Sequence, residues 1–309
     1  MSQRGNVHTV VLGQRRKISY TPFSLRMLGG LADMIVGNVF FVDSGGGGAD
    51  ATGAGTFEQP FLTMDFAVGR CEANNGDVIF VKPGHTETIV AAGRLALDVA
   101  GITFVGLGQG RSRPLINFTT VTTADMDVDA ANITLANFRI SLVGVDALAA
   151  PIDVNAADFS LLGCEIECAN ATNQATLAVL TDANANRFWM EGCNVHGTNN
   201  AGMTAAVRLV GGAGHHIIGN DFIGAYTDGV GAIENLTTAC TETFVGYNRI
   251  NNLTAASTKA MVFVSTSTGQ IYQNYMQILS GTAPITGAAM SWVGANYYAA
   301  TIATAGTLI

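Results

Sequence analysis

Three aspartates recur at intervals that would bring their carboxyl groups together in a repeating fold. These are Asp127, Asp153 and Asp182, whose sequence numbers differ by 26 and then by 29, and Asp125 and Asp129 flank the first of them. Carboxylates stacked on one face repel each other, so that a pKa rises or a cation is attracted, and such groups can serve as acid and base. The alternative is that each aspartate faces water at a strand edge or a turn.

A repeat of about 27 residues, a length typical of solenoids, runs through the same part of the chain. Apolar residues occupy two of its slots, at Ile140, Ile166, Val195, Phe222, Ile250 and Met276 and, five positions earlier, at Leu135, Leu161, Met190, Ile217, Val245 and Ile271. Short alternating segments separated by Gly and Asn indicate strands and turns. One such unit cannot bury its apolar face, whereas stacked units bury a continuous core. The repeat therefore predicts an all-β solenoid.

The slot two positions before the first apolar slot changes character along the chain. It contains Phe138, Cys164 and Cys193, and then three asparagines, Asn220, Asn248 and Asn274. On coils about 4.8 Å apart, asparagines in one slot can hydrogen-bond to one another and to the turn backbone. We predict that they form a structural ladder. One position further on, Arg139 would lie beside Glu165 and Asp221 beside Arg249, with all four side chains facing water.

The segment before the repeat predicts a cap for the open end of the solenoid. Phe61, Met64, Val68 and Cys71 have helical spacing, and Asn74-Asn75-Gly76 is a stop signal. We expect a short helix near 61–73 that covers the end of the coil.

This region also carries a family resemblance. The run from Gly55 through Pro60, the helix, Gly76-Asp77, Val81-x-Pro83-Gly84, Ile102 to Gly108 and Arg113-Pro114 resembles the opening of right-handed parallel β-helix proteins of the pectate-lyase-like superfamily. The resemblance covers roughly Val39 to Ile278 and implies a right-handed parallel β-helix. That superfamily includes lyases, hydrolases, phage tailspikes and non-enzymatic virion proteins, so the resemblance does not imply one function.

The resemblance implies that an enzyme of this kind would use clustered carboxylates, with Arg or Lys as the proton acceptor in lyases. One repeat after Asp182 stands Leu209, and its neighbour Arg208 would point to the opposite face of a strand. The arginine motif of the family lyases also has no match, since Arg111-Ser-Arg113-Pro114 has the wrong spacing. We therefore predict a protein without enzymatic activity, cofactor or metal, and keep Asp127, Asp153 and Asp182 as the alternative, a catalytic site.

Composition agrees with short strands and tight turns. Of 309 residues, 37 are Gly and 6 are Pro, and only 12% are charged, which is not typical of a disordered tail or a coiled coil. The five cysteines are scattered and predict buried free thiols. The first six residues lack the apolar core of a signal peptide, and no stretch is apolar enough for a membrane helix. We expect synthesis in the host cytoplasm and no membrane partner.

Charge divides the chain into three parts. The net charge is −8, but the arm up to Leu31 carries +5, so the remainder carries −13; the basic residues are Arg4, Arg15, Arg16, Lys17 and Arg26. No charged residue follows Lys259. We predict a basic arm over residues 1–38, the parallel β-helix over 39–280 and an uncharged tail over 281–309. The tail would make oligomer contacts through Trp292, Tyr297 and Tyr298, because uncharged apolar surface favours association.

These expectations lead to two hypotheses about function. The first is a virion structural protein, a capsid decoration or cement subunit of a bacteriophage head. It would form a homo-oligomer, most naturally a trimer, and use its arm to bind the major capsid protein or another virion protein rather than nucleic acid. The second is a tailspike-type polysaccharide lyase or hydrolase that uses the aspartates.

Overall fold

The chain coils into a parallel β-solenoid with three sheets along its sides. The computed structural model describes residues 36–200, 202–255, 257–280, 283–299 and 307–308. About eight coils of about 27 residues stack on one another, and strands from neighbouring coils pair in parallel. The predicted all-β solenoid is confirmed. Its right-handed turn stays a prediction.

The three sheets, here named A, B and C, take successive strands of each coil in turn. Sheet A contains β1 (Val39–Val42), β2 (Val78–Val81), β5 (Thr103–Gly106), β8 (Thr134–Ala136), β11 (Ser160–Leu162), β14 (Trp189–Glu191), β17 (His216–Ile218), β20 (Thr243–Gly246), β23 (Gly269–Tyr272) and β26 (Met290–Val293). Sheet B contains β3 (Thr86–Ile89), β6 (Leu115–Thr119), β9 (Arg139–Gly144), β12 (Glu165–Ala169), β15 (Asn194–Gly197), β18 (Asp221–Gly224), β21 (Arg249–Asn252), β24 (Tyr275–Gln277), β27 (Tyr297–Ala299) and β28 (Thr307–Leu308). Sheet C contains β4 (Leu95–Leu97), β7 (Met126–Val128), β10 (Ile152–Val154), β13 (Leu177–Thr181), β16 (Ala205–Leu209), β19 (Ile233–Asn235), β22 (Met261–Phe263) and β25 (Ile285–Thr286).

The two apolar slots of the repeat form continuous buried columns. Ile140, Ile166 and Val195 are direct neighbours in sheet B, and the column continues through Phe222, Ile250 and Met276. The other slot runs down sheet A from Leu135 to Ile271. All of these side chains are buried. The register predicted from the spacing is therefore confirmed in sheets A and B.

The capping helix is shorter than the predicted segment 61–73. Helix α1 spans Met64–Val68, begins at the N-cap Thr63, whose hydroxyl accepts a hydrogen bond from the Phe66 N–H at 3.2 Å, and ends at Gly69. Phe61 does not join it, because its backbone is extended and forms an isolated parallel bridge with Val42. The helix packs on β4, the first strand of sheet C, and Asp65 accepts the Ala96 N–H at 3.2 Å. It thus covers the edge of sheet C at which the coil opens.

The solenoid continues past the predicted boundary at residue 280. Strands β25, β26 and β27 extend sheets C, A and B by one more coil. Much of the predicted tail is therefore part of the coil. The absence of charge does not prevent this extension, because backbone N–H and C=O groups pair in a sheet whether or not the side chains are charged.

The basic arm lies outside the described residues. This holds for Arg4, Arg15, Arg16, Lys17 and Arg26, and also for most of the segment 1–38. Within the ranges described, the chain has no helix of the length and apolarity needed to cross a membrane.

Candidate functional site: the acidic face of sheet C

The aspartates lie on the outer face of sheet C. Strands β7 and β10 have the pattern buried, half-buried, buried, so Met126 and Val128 point into the core and Asp127 points outward between them. Asp153 is the direct neighbour of Asp127 on the next coil. Parallel strands lie about 4.8 Å apart, so the two carboxylates share one column.

Asp182 does not belong to this column, which corrects the sequence prediction. Asp153 pairs with Leu180, and Val154 pairs with Thr181, so Asp182 falls one position beyond the end of β13. Its N–H donates to the carbonyl of Val154 at 2.8 Å, which places it two positions further along than Asp153. The structure therefore brings Asp127 and Asp153 together as direct neighbours and leaves Asp182 at the rim.

The position of Arg208 is a second correction. It pairs with Leu180 and therefore stands in the same column and on the same face as the two aspartates. Two strand spacings, about 10 Å, separate it from Asp153. Its Nε donates to Oε1 of Glu234, the next residue in the column, at 2.5 Å, and that carboxylate is fully buried. Arg208 is thus committed to Glu234 and does not contact the aspartates.

The charge density of this face changes the protonation of its carboxyl groups. Burial, followed by the charges of Asp125, Asp129 and Asp153, raises the pKa of Asp127 to about 6. Burial and the charges of Asp125, Asp129 and Asp182 also raise the pKa of Asp153. Asp127 therefore exchanges its proton near neutral pH, as a general acid or base must.

This face does not assemble a ligand set for a metal ion. Among the described residues, no group of three or more His, Cys, Asp and Glu side chains is placed to hold one. Asp125 accepts the Gly93 N–H at 2.5 Å, and Asp129 accepts from Asn155 at 2.9 Å, so two carboxylates at the edges of the face are engaged by the protein itself.

The asparagine slot is a buried ladder along the corner between sheets A and B. Nδ2 of Asn220 donates to Oδ1 of Asn248 at 3.1 Å, and Nδ2 of Asn248 donates to Oδ1 of Asn274 at 3.0 Å. The same oxygens accept the backbone N–H of the preceding asparagine. Asn296, which the sequence analysis missed, continues the ladder. The residue before each of the first three ladder positions has left-handed backbone, at Gly219 (φ 65°), Tyr247 (φ 59°) and Gln273 (φ 49°).

The residues predicted to make oligomer contacts lie in different places. Tyr297 is 37% exposed and stacks on Tyr275, with ring centroids 5.1 Å apart and rings within 7° of parallel. Tyr298 is instead packed against the core and neighbours Met276. Trp292 lies in β26 opposite Ile271.

A second group of polar residues on sheet B was missed. Ser141, Glu167 and His196 are neighbours in one column, next to the column of Arg139 and Glu165. The slot one position after the apolar anchor contains all three and would have revealed them. Arg139 and Glu165 do neighbour each other as predicted, but Glu165 forms its ion pair with Arg113. Asp221 and Arg249 do pair.

The fold and these columns define a parallel β-solenoid with an acidic outer face on one sheet. No family model matches the chain, and no curated protein matches its sequence. A solved structure described as "Rhamnogalacturonan lyase" is similar with a TM-score of 0.44 and 13% identity, over 88% of this chain and 79% of that chain. This likeness is one of fold, and the activity in the name belongs to that protein.

Proposed function

We propose that this chain is a structural protein of a virus particle, a rigid block that decorates or cements a phage head. The observation that supports it is that side chains tie neighbouring coils together both inside and outside the core. Inside is the asparagine ladder, and outside are the ion pairs Arg187–Asp158 and Arg249–Asp221. Exposed ion pairs contribute little stability by themselves. Together with the shared core they hold each coil in register, which suits a load-carrying spacer.

Two surfaces provide the contacts of such a block. The basic arm has the charge to dock on an acidic surface of the major capsid protein or another virion protein, and such docking weakens with salt. The exposed pair Tyr275 and Tyr297 supplies an aromatic surface for association with further copies of the chain, because tyrosines are enriched at interfaces. The expected oligomer is a trimer.

Purified particles test this proposal. Quantitative mass spectrometry should find the protein at many copies per particle, and its absence from particles would overturn the structural role. In the full-length chain, changing Arg15, Arg16 and Lys17 to Glu should abolish particle binding without changing the oligomeric mass. Changing Tyr275 and Tyr297 to Ser should instead reduce the oligomeric mass in light scattering. Arg94→Glu, at an exposed arginine elsewhere, is the control.

The second candidate is a tailspike-type polysaccharide lyase or hydrolase. It is favoured by the adjacent Asp127 and Asp153 and by the raised pKa of Asp127. Host surface polysaccharides and pectate should then release reducing sugars or unsaturated products. Asp153→Asn should abolish this release, whereas the exposed Asp146→Asn should not. Turnover with these properties would replace the purely structural function, and unchanged polysaccharides would rule out the enzyme.

A further inference from the structure

A polar cleft of about 260 Å³ lies on the outer face of sheet B, away from the acidic face of sheet C. It spans β6, β9, β12, β15 and the 3-10 turn at Gly110–Ser112. Leu115, half-buried in β6, forms its apolar part, whereas the side chain of Ile140 is buried in the core. Its polar lining consists of Arg111, Arg139, Ser141, Glu165, Glu167 and His196.

Two arginines in this cleft have no carboxylate partner within the described part of the chain. Glu165 is already engaged, since Arg113 forms an ion pair with it and His196 Nε2 lies 3.4 Å from its Oε1. Arg139 donates from Nη1 to the backbone carbonyl of Arg111 at 3.4 Å, a neutral acceptor, and within the described ranges its guanidinium has no ion-pair partner. Guanidinium groups in this state bind carboxylate, sulfate or phosphate oxygens through paired N–H donors.

The remaining groups limit the ligand further. Glu167 is half-buried in the cleft, and no basic side chain of the described chain lies within ion-pair distance of it. Arg111 and Arg139 carry two positive charges and Glu167 carries one negative charge, so a ligand must match one remaining positive charge. Glu167, Ser141 and His196 offer acceptors and donors for hydroxyl groups, and the apolar part offers contact for C–H groups. The volume lies just below the usual range for ligand pockets, about 300–1,000 Å³, and suits a single ring.

We propose that this cleft binds a monosaccharide-sized ligand that carries one negative charge and several hydroxyl groups. The anionic group contacts Arg111 and Arg139, and hydroxyl groups contact Glu167, Ser141 and His196. The site is independent of either proposed function, because it shares no residue with the aspartate column, the arm or the exposed tyrosines.

Titration of the full-length protein tests this site. Glucose 6-sulfate, glucuronate and glucose are added while ligand line widths are followed by NMR. At least one of the two anions should bind saturably and about tenfold or more tightly than glucose, since charge-assisted bonds to arginine are lost with the neutral sugar. The stronger of the two anions identifies sulfate ester or carboxylate as the recognised group. Absence of saturable binding, or equal binding of glucose, would overturn the proposal.

Variants separate the cleft from general charge. Arg139→Gln, with Arg111→Gln as the second variant, should weaken binding of the preferred anion about tenfold, whereas Arg94→Gln makes the same change of charge outside the cleft and should leave it within about twofold. Glu167→Leu should strengthen binding of inorganic sulfate, because a like charge is removed, but weaken binding of the charged sugar, because an acceptor is lost. Unchanged affinity in both arginine variants, or the same direction for both ligands in Glu167→Leu, would contradict the assignment.

Discussion

Asn274 donates a hydrogen bond from Nδ2 to Oδ1 of Asn296 at 3.0 Å, and this contact carries the buried ladder into the coil formed by β25, β26 and β27. Asn296 in turn donates to the carbonyl of Ile271 at 3.1 Å. Asn220, Asn248 and Asn274 therefore each bind the coil before and the coil after, Asn296 binds the coil before it, and the ladder links the later coils into one unit.

The ladder makes stability sensitive to a single side chain. Asn248→Leu should lower the free energy of unfolding by about 3 kcal/mol, because the buried groups of Asn220, Ile217 and Asn274 lose partners. Chemical denaturation measures this change. The exposed Asn194→Leu should cost less than about 0.5 kcal/mol. Equal effects of the two substitutions would mean that the ladder is not a stabilising element.

Cys164 and Cys193 occupy the same slot on the two coils before Asn220, and their thiols make contacts similar to those of the ladder. Cys193 Sγ donates to the carbonyl of Leu161 at 3.4 Å, in the way that Asn220 Nδ2 donates to Met190 at 3.0 Å. Cys193→Asn should therefore extend the ladder and raise the unfolding free energy by about 1 kcal/mol. Cys168→Asn is the matched control. Cys168 is fully buried in the apolar core, so the same substitution should destabilise by about 2 kcal/mol. Thermal melts of both variants decide between these outcomes.

The raised pKa of Asp127 gives stability a specific pH dependence. The folded-state pKa of about 6 lies above the ordinary value of 3.8, so the folded protein holds this proton more tightly and loses stability as pH rises from about 4 to about 6. Asp127→Asn should therefore stabilise the protein at pH 7, by up to about 1 kcal/mol after solvent screening. The advantage should shrink below pH 6 and vanish near pH 4. Denaturation at several pH values measures it, and a constant advantage would exclude proton linkage; Asp146→Asn is the control.

The cap depends on buried hydrogen bonds of one glutamate side chain. Glu87 Oε2 accepts the Met64 N–H at 2.7 Å at the start of α1 and lies 3.2 Å from His85 Nε2. Nδ1 of the same histidine accepts the Ser44 N–H at 3.0 Å. Glu87→Leu should lower the unfolding free energy by about 3 kcal/mol, since it leaves the buried Met64 N–H and Nε2 of His85 without partners. Limited proteolysis should detect earlier cleavage near α1. Glu58→Leu, at an exposed glutamate, should change neither property.

Much of the coil could be predicted from residue spacing alone. The apolar slots of sheets A and B and the asparagine slot are joined by short corners of nearly constant length, so a count along the chain keeps the register between them. Burial of alternate residues then decides which side chains face the core, as for Ile166 and Leu161. Glu167 and His196 were also within reach of the same count, at the slot after the apolar anchor.

The register of sheet C depends on which corner contains extra residues, and only the tertiary structure shows which corner that is. The corner from sheet C to sheet A has five residues at 155–159 but seven at 182–188. The longer interval from Leu161 to Met190 in sheet A therefore includes two extra residues that come after β13. Counting that longer interval from Asp153 reaches Asp182, whereas the hydrogen-bonded neighbour is Leu180, two positions earlier. Corners tolerate added residues at little cost, but paired strands do not, so pairing decides that Arg208 shares the face of Asp127 and Asp153.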